Sequence, residues 1–200
     1  MWVYLSFFLL PFIYFNKQFT AYEFLLAYPY RIDLGGNQSN LEFLEIRCLK
    51  QGKVLISGLT GSIGHGECTF TKNYDIDYES AGILTGYLYK KGKASLELAL
   101  ATELCQLMLS TEPPFESIEW DSAFTGFNFK ATKLLKDFMI TSISVSGYYQ
   151  LTSNLSLSIS VGFTHKLFSW TWQFEGVKIR NAPDVSLPRL YWAIGLRYLQ

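Results

Sequence analysis

Short polar turns alternate with longer loops along this chain, and that alternation limits the fold more than any other feature. Tight turns at residues 51–53, 90–93 and 151–154 alternate with four longer loops, and eight segments of strand character lie between them. Strands joined by tight turns pair antiparallel. All the short connections would then lie at one end of the molecule and all the long ones at the other. The sequence therefore predicts an all-β, eight-stranded antiparallel up-and-down barrel.

The seventh strand, at about 155–168, shows which face of the barrel meets which environment. Leu, Ile, Val and Phe alternate there with Ser, Gly and Thr, and charge is almost absent from the polar face. A face in contact with water would normally carry Lys and Glu. Small polar side chains instead suit the narrow interior of an eight-stranded barrel. The apolar face would then meet lipid, and predicted strands of about 10 to 14 residues are long enough to cross a bilayer.

The third long loop, at about 110–137, leaves the strand count open. Its segment 124–130 also alternates. If this loop contributes a hairpin to the wall, the barrel has ten transmembrane strands, and this is the alternative to eight.

Composition agrees with a membrane barrel and argues against some other classes. Charged residues make up 17% of the chain, below the roughly 25% of soluble domains. Aromatic residues make up another 17%, as aromatic girdles at both membrane interfaces would require. The 17 basic and 17 acidic residues cancel, so the basic excess of a nucleic-acid-binding protein is missing.

The first 15 residues are nearly all apolar. This stretch is shorter than the roughly 20 residues of a membrane-spanning helix, and it matches the apolar part of a secretory signal. We therefore expect a signal peptide at 1–21 and the barrel domain at 22–200. A helix or strand buried within the domain is the alternative. The three cysteines, Cys48, Cys68 and Cys105, have no metal-binding spacing and are interpreted as unpaired apolar residues.

Alternation also predicts what fills the lumen. Four acids and four bases fall on the inward faces, and buried charges must be paired. We therefore expect a paired network that plugs the barrel and excludes an open pore. The predicted lumen residues are Glu23, Arg31, Glu45, Arg47, Glu97, Glu103, Lys166 and Arg197. The predicted aromatic belt comprises Tyr28, Tyr30, Trp170, Trp172, Trp192 and Tyr198.

Residues 190–198, Leu-Tyr-Trp-Ala-Ile-Gly-Leu-Arg-Tyr, resemble the closing strand of outer-membrane barrels. The hairpin at 147–157 is similar to those of small barrels of the OmpA-transmembrane, OmpX and opacity-protein type. The resemblance implies the outer membrane of a Gram-negative bacterium. It also implies insertion by the barrel assembly machinery and contact with outer-membrane lipids and lipopolysaccharide. It transfers no functional residue to this chain.

Three functions remain open. The first is a non-enzymatic structural, surface or adhesion-type barrel that acts through its long loops. The second is a lipid A-modifying hydrolase, because His165 and Ser169 share a parity that would place base and nucleophile on one wall. The third is a soluble lipocalin-like carrier. Neither His65-Gly66-Glu67-Cys68 nor the acids at 75–79 complete a metal-binding pattern, so no metal and no cofactor are expected.

Overall fold

The computed structural model describes residues 19–69, 73–110, 118–120, 129–131, 133–174, 177–178 and 184–200. Within these ranges the chain forms eight long strands of 10 to 19 residues, and six of them are longer than the 10 to 14 residues predicted. The strands are β1 (Ala21–Leu34), β2 (Asn37–Gln51), β3 (Leu55–Thr69), β4 (Asn73–Lys91), β5 (Ala94–Ser110), β6 (Lys133–Gln150), β7 (Leu155–Ser169) and β8 (Leu190–Leu199).

Each strand pairs antiparallel with the next one along the chain, and β8 returns to pair with β1 from Ala21↔Leu199 to Ala27↔Ala193. This pairing closes the barrel and confirms the eight-stranded prediction. Ile118–Trp120 and Phe129–Ala131 form a separate two-stranded sheet, and the strands on either side of the third loop pair directly with each other. The described part of that loop therefore adds no strand to the wall, and the ten-stranded alternative is wrong. Among the described residues, no helix has the length and apolar character needed to cross a bilayer.

Two of the four predicted long loops are short in the structure, because most of their residues belong to strands. The first consists of a tight turn at Gly35 and Gly36, where positive φ angles of 62° and 96° favour glycine. The predicted second loop, 64–78, is mostly the paired ends of β3 and β4. The long connections are therefore those at 111–132 and 170–189. The predicted signal segment, 1–21, stays a prediction: residues 1–18 lie outside the described ranges, and its last residue, Ala21, is the first of β1.

The outer wall carries a continuous band of exposed apolar side chains, here called the apolar band. Ile83 and Leu104 are 66% and 60% exposed, which would be unfavourable in water but suits lipid. The apolar wall therefore faces outward, and the interpretation as a soluble carrier is wrong. The band includes Phe24, Leu26, Leu59, Ile63, Ile83, Leu96, Leu98, Leu100, Leu104, Ile143, Val145, Leu157, Ile159, Val161, Phe163, Trp192, Ile194 and Leu196.

Towards the loop end the polarity of the wall inverts. On β4, Asp75, Asp77 and Glu79 face outward, while Tyr74, Ile76 and Tyr78 are buried. We call this part the aqueous extension; it comprises 37–42, 65–69, 73–79, 106–110 and 133–137. A barrel wall that leaves the bilayer must turn polar residues to water and apolar ones inward. The inversion therefore marks the aqueous edge of the membrane.

Two β-bulges change which residues face inward. The register between β1 and β2 shifts between Ala27 and Tyr30, and that between β6 and β7 shifts beside Met139, where Leu167 is the extra residue. One extra residue sends every later side chain of that strand to the opposite face. The first shift includes Pro29, which lacks the backbone N–H that a regular ladder uses.

Candidate functional site

Arg197 is the centre of an ionic network inside the turn-side half of the barrel. Its Nη2 atom donates to Glu23 Oε2 at 3.0 Å and to Glu97 Oε2 at 2.5 Å. It also donates to the Tyr148 hydroxyl at 2.5 Å, and the guanidinium lies 3.9 Å from the centroid of that ring. All four side chains are buried. Planar guanidinium groups are suited to such multiple charge-assisted bonds.

Arg47 joins the same network from the adjacent wall. Its Nε donates to Glu45 Oε1 at 2.6 Å, and its Nη1 lies 3.5 Å from an oxygen of both Glu23 and Glu97. Glu45 also accepts from Thr60 Oγ1 at 3.2 Å. Two arginines thus hold three carboxylates from β1, β2 and β5 together. This cross-linking ties opposite walls of the barrel.

Glu103 is the fourth buried acid, and its place in the interior differs from the other three. It accepts a short hydrogen bond from Ser80 Oγ. Together with Glu45, it borders a void of about 10 Å³. That volume holds about one water molecule at most.

Small polar side chains on β6 and β7 make room for the network. Ser146 and Ser160 are hydrogen-bonded at 2.6 Å, and Ser144 Oγ accepts from Arg47 Nη2 at 3.5 Å. Long side chains at these positions would compete with the two arginines for the same space. The serine-rich face of β7 therefore points into the lumen and leaves room for the two arginines.

Above the network the interior is apolar and aromatic. Tyr30 and Phe43 are stacked with centroids 3.9 Å apart, and Tyr78 lies 5.9 Å from Tyr30 and 5.5 Å from Phe43. The Tyr78 hydroxyl donates to Cys105 Sγ at 3.2 Å. Aromatic stacking adds to the gain from burying these rings. Inside the barrel, ion pairs thus lie near the turns and packed rings lie near the loops.

The described residues of the connection at 170–189 pack against the loop-side mouth of the barrel. Val185 and Ser186 pair with Leu34 and Asp33 at the end of β1. Val185 and Trp172 are almost fully buried. These residues form a cap on the apolar core, which we call the mouth cap.

Asp184 fastens the mouth cap to the wall. Its carboxylate lies 3.3 Å from Lys136 Nζ, accepts a short hydrogen bond from Lys166 Nζ, and accepts from Ser169 Oγ at 3.1 Å. Lys136 is buried and lies 5.7 Å from the Trp172 ring centroid. Burial raises the pKa of Asp184, but the Lys166 hydrogen bond and charge outweigh it and hold that pKa below its usual value.

Replacing Asp184 with asparagine is expected to loosen the mouth cap, because Lys136 then keeps its charge without a counter-ion. We expect several-fold faster tryptic cleavage within 170–189, which contains Lys178, read from the fragments on a gel. The same loosening is expected in the native protein as pH falls below about 4, measured there with pepsin because trypsin is inactive. An acid whose pKa is lowered by folding stabilises the fold at pH values above its unfolded-state pKa, and this stabilisation is lost as the acid is protonated. The control is Asp75→Asn on the outer wall; equal acceleration there would contradict the role of Asp184.

The structure brings together six of the eight predicted lumen charges: Glu23, Glu45, Arg47, Glu97, Glu103 and Arg197. Arg31 is exposed and donates from Nε to Asn40 Oδ1 at 3.1 Å, because the bulge in β1 turns it outward. Its prediction as a lumen residue is wrong. Lys166 lies at the mouth with Asp184, outside the network. Among the described residues, the interior below the mouth cap therefore holds four buried acids and two buried arginines.

Some residues of the predicted aromatic belt are exposed on the outer wall, and others are buried. Trp170, Trp192 and Tyr198 are exposed on the outside. Tyr30 is buried because it follows the bulge, and Trp172 is buried in the mouth cap, so neither belongs to the belt. The side chain of Tyr28 lies outside the described set.

The structure does not bring His165 and Ser169 together. His165 is exposed on the outer wall, opposite Thr141. Ser169 lies beyond the bulge at Leu167, and its hydroxyl donates to Asp184 in the mouth cap. The two side chains therefore lie on opposite faces of the wall, and the expectation that they share one face is wrong.

The remaining candidates are a metal site and the cysteines. Within the described ranges, no group of three or more His, Cys, Asp or Glu side chains is arranged to hold a metal ion. Cys48, Cys68 and Cys105 are free and buried. Sequence reasoning missed Tyr148, although its parity matches the serines of β6. It also missed the Lys136–Asp184 pair, for which the alternation pattern holds no signal.

Comparison with known proteins supports the fold and leaves the role open. No protein-family model matches the sequence, and no curated protein matches it. Among solved structures, Neisserial surface protein A is similar with a TM-score of 0.57 at 10% identity, covering 92% of this chain and 97% of that one. OprG from Pseudomonas aeruginosa gives a TM-score of 0.53 at 11% identity, covering 90% of this chain and 96% of that one.

The fold is that of the small eight-stranded outer-membrane β-barrels. The exposed apolar band and the closed strand order both define this class. In particular, this chain shares the overall architecture of Neisserial surface protein A and OprG. Identities this low carry over no ligand, partner or activity.

Proposed function

We propose that this protein is a non-conducting, non-enzymatic barrel of a Gram-negative outer membrane, with a structural or adhesion-type role carried by its loop end. The observation that carries the proposal is the filled interior. Two arginines and three acids occupy the turn-side half, Glu103 lies next to the rings, and the stacked rings occupy the loop-side half. The mouth cap lies over those rings.

The surroundings in this proposal are outer-membrane lipids and lipopolysaccharide, with the barrel assembly machinery as the partner for insertion. The apolar band supports the lipid contact. The separation of His165 from Ser169 favours the non-enzymatic role over lipid A hydrolysis. The aqueous extension and the connections at 111–132 and 170–189 offer the surface for outside contacts.

Planar-bilayer recording tests the closed interior. We expect no discrete conductance steps from the purified, folded protein at neutral pH, because side chains leave no continuous water path along the axis. A general porin reconstituted under the same conditions is the positive control. Reproducible conductance steps of uniform size from this protein would overturn the non-conducting part of the proposal.

A further inference from the structure

Five lysines lie together at the turn end of the barrel. Two of the three short turns supply them, and each lysine is exposed: Lys50, Lys53, Lys90, Lys91 and Lys93. None forms an ion pair with a described residue, and no acidic residue occurs within 50–57 or 86–96. The third short turn, at 151–154, carries no charge at all. Among the described residues of this rim, the exposed lysines are therefore confined to one sector.

The two lysine-bearing turns belong to neighbouring strands. Leu88 N donates to Val54 O at 2.7 Å, which ties the β2–β3 turn to the side of β4. Strands β4 and β5 pair up to Lys91↔Ala94. The lysines thus lie on one short arc of the wall, where their fields add.

Large apolar side chains surround the lysines on the same arc. Val54, Leu55, Tyr87 and Tyr89 are 58%, 59%, 63% and 66% exposed. Tyrosines of this kind sit at the head-group level of a bilayer, and lysines beside them extend their ammonium groups to the interface. The lysines are therefore at the height of lipid phosphates, not deep in the aqueous phase.

We propose that this arc, defined by the five lysines with Val54, Leu55, Tyr87 and Tyr89, is a binding surface for anionic phospholipid head groups in the leaflet at the turn end. Charge complementarity selects the anionic head group, and the adjoining apolar side chains accept its acyl chains. Basic clusters at a membrane edge bind anionic lipids through the same combination. In contrast, the outward face of the aqueous extension carries Glu42, Glu67, Asp75, Asp77 and Glu79, which would repel such lipids.

The test counts lipids retained by the folded protein after extraction from nanodiscs of equimolar phosphatidylglycerol and phosphatidylcholine, using native mass spectrometry. We expect phosphatidylglycerol to be retained over phosphatidylcholine by about fivefold or more, the preference that a single interfacial lysine can give. The variant Lys53→Gln, Lys91→Gln, Lys93→Gln is expected to lower this preference several-fold, although Lys50 and Lys90 remain. The same three positions changed to arginine are expected to keep it.

The matched control removes three exposed bases from the loop end: Arg31→Gln, Lys133→Gln and Arg189→Gln. It is expected to retain the preference, because the arc is intact. Heat-modifiable migration on SDS gels verifies that every variant is folded. No preference in the native protein, an unchanged preference in the lysine variant, or equal loss in the control would each overturn the proposal. The last result would point to net charge, not to a site.

Discussion

Replacing Arg197 with methionine is expected to lower the free energy of unfolding by about 3–5 kcal/mol, the cost of breaking a buried ion pair from one side. The Arg197 guanidinium contacts Glu23 and Glu97, and both carboxylates are fully buried. Arg47, 3.5 Å away from each, cannot replace these shorter contacts. Urea unfolding in lipid vesicles, followed by the shift of the folded band on unheated gels, measures the loss.

Two further variants separate an unpaired charge from a general loss of packing. Arg31→Met removes an exposed arginine and is expected to change stability by less than about 0.5 kcal/mol. Adding Glu97→Gln to Arg197→Met is expected to recover part of the loss, because it removes one uncompensated carboxylate. A loss at Arg31 as large as that at Arg197 would show that the network is not the cause.

Replacing Gly162 with valine is expected to destabilise the barrel by about 1–3 kcal/mol through overpacking. A Cβ atom at this position would lie 2.4 Å from Cζ and 2.6 Å from the hydroxyl oxygen of Tyr191. The Tyr191 ring is buried and lies 5.9 Å from the ring of Tyr30. It would have to leave its place against β7 and disturb the aromatic core. The midpoint temperature for loss of the folded band on SDS gels reports the effect.

Gly147 provides the matched control within the barrel. It faces outward on β6, and a Cβ atom there would meet no atom within 4 Å. Gly147→Val is therefore expected to be neutral or slightly stabilising, since valine suits a strand and faces lipid. When Gly162→Val is combined with Tyr191→Ser, the two losses are expected to be less than additive, because the valine then meets no ring. Equal effects at the two glycines would contradict the role of the Tyr191 contact.

The strand count was predictable because turns and alternation are local properties of the sequence. Six of the lumen charges were predictable for the same reason, since their strands keep a period of two from the turn end. The errors at Arg31, Tyr30 and Ser169 share one cause: each residue follows a bulge. The alternation pattern alone cannot locate the extra residue of a bulge, although Pro29 in β1 does indicate an irregularity in the strand.

The loop end was less predictable because the rule that assigns faces depends on the solvent. Inside the bilayer an outward residue is apolar, whereas on the aqueous extension Asp77 is outward and Tyr78 is buried. The same alternation therefore has two opposite meanings along one strand. The mouth cap could not be predicted from the sequence either. Asp184 pairs with Lys136 and Lys166 only because an irregular connection brings it there, and alternation does not describe such a connection.

The aqueous extension also determines how far the loop end of the barrel rises above the bilayer. On β4, residues 73–79 form the part of the strand that extends beyond the apolar band. At about 3.3 Å per residue and a strand tilt of roughly 40°, they raise the chain by about 15 Å. The loop-side ends of the described strands thus stand above the lipid surface instead of resting at it.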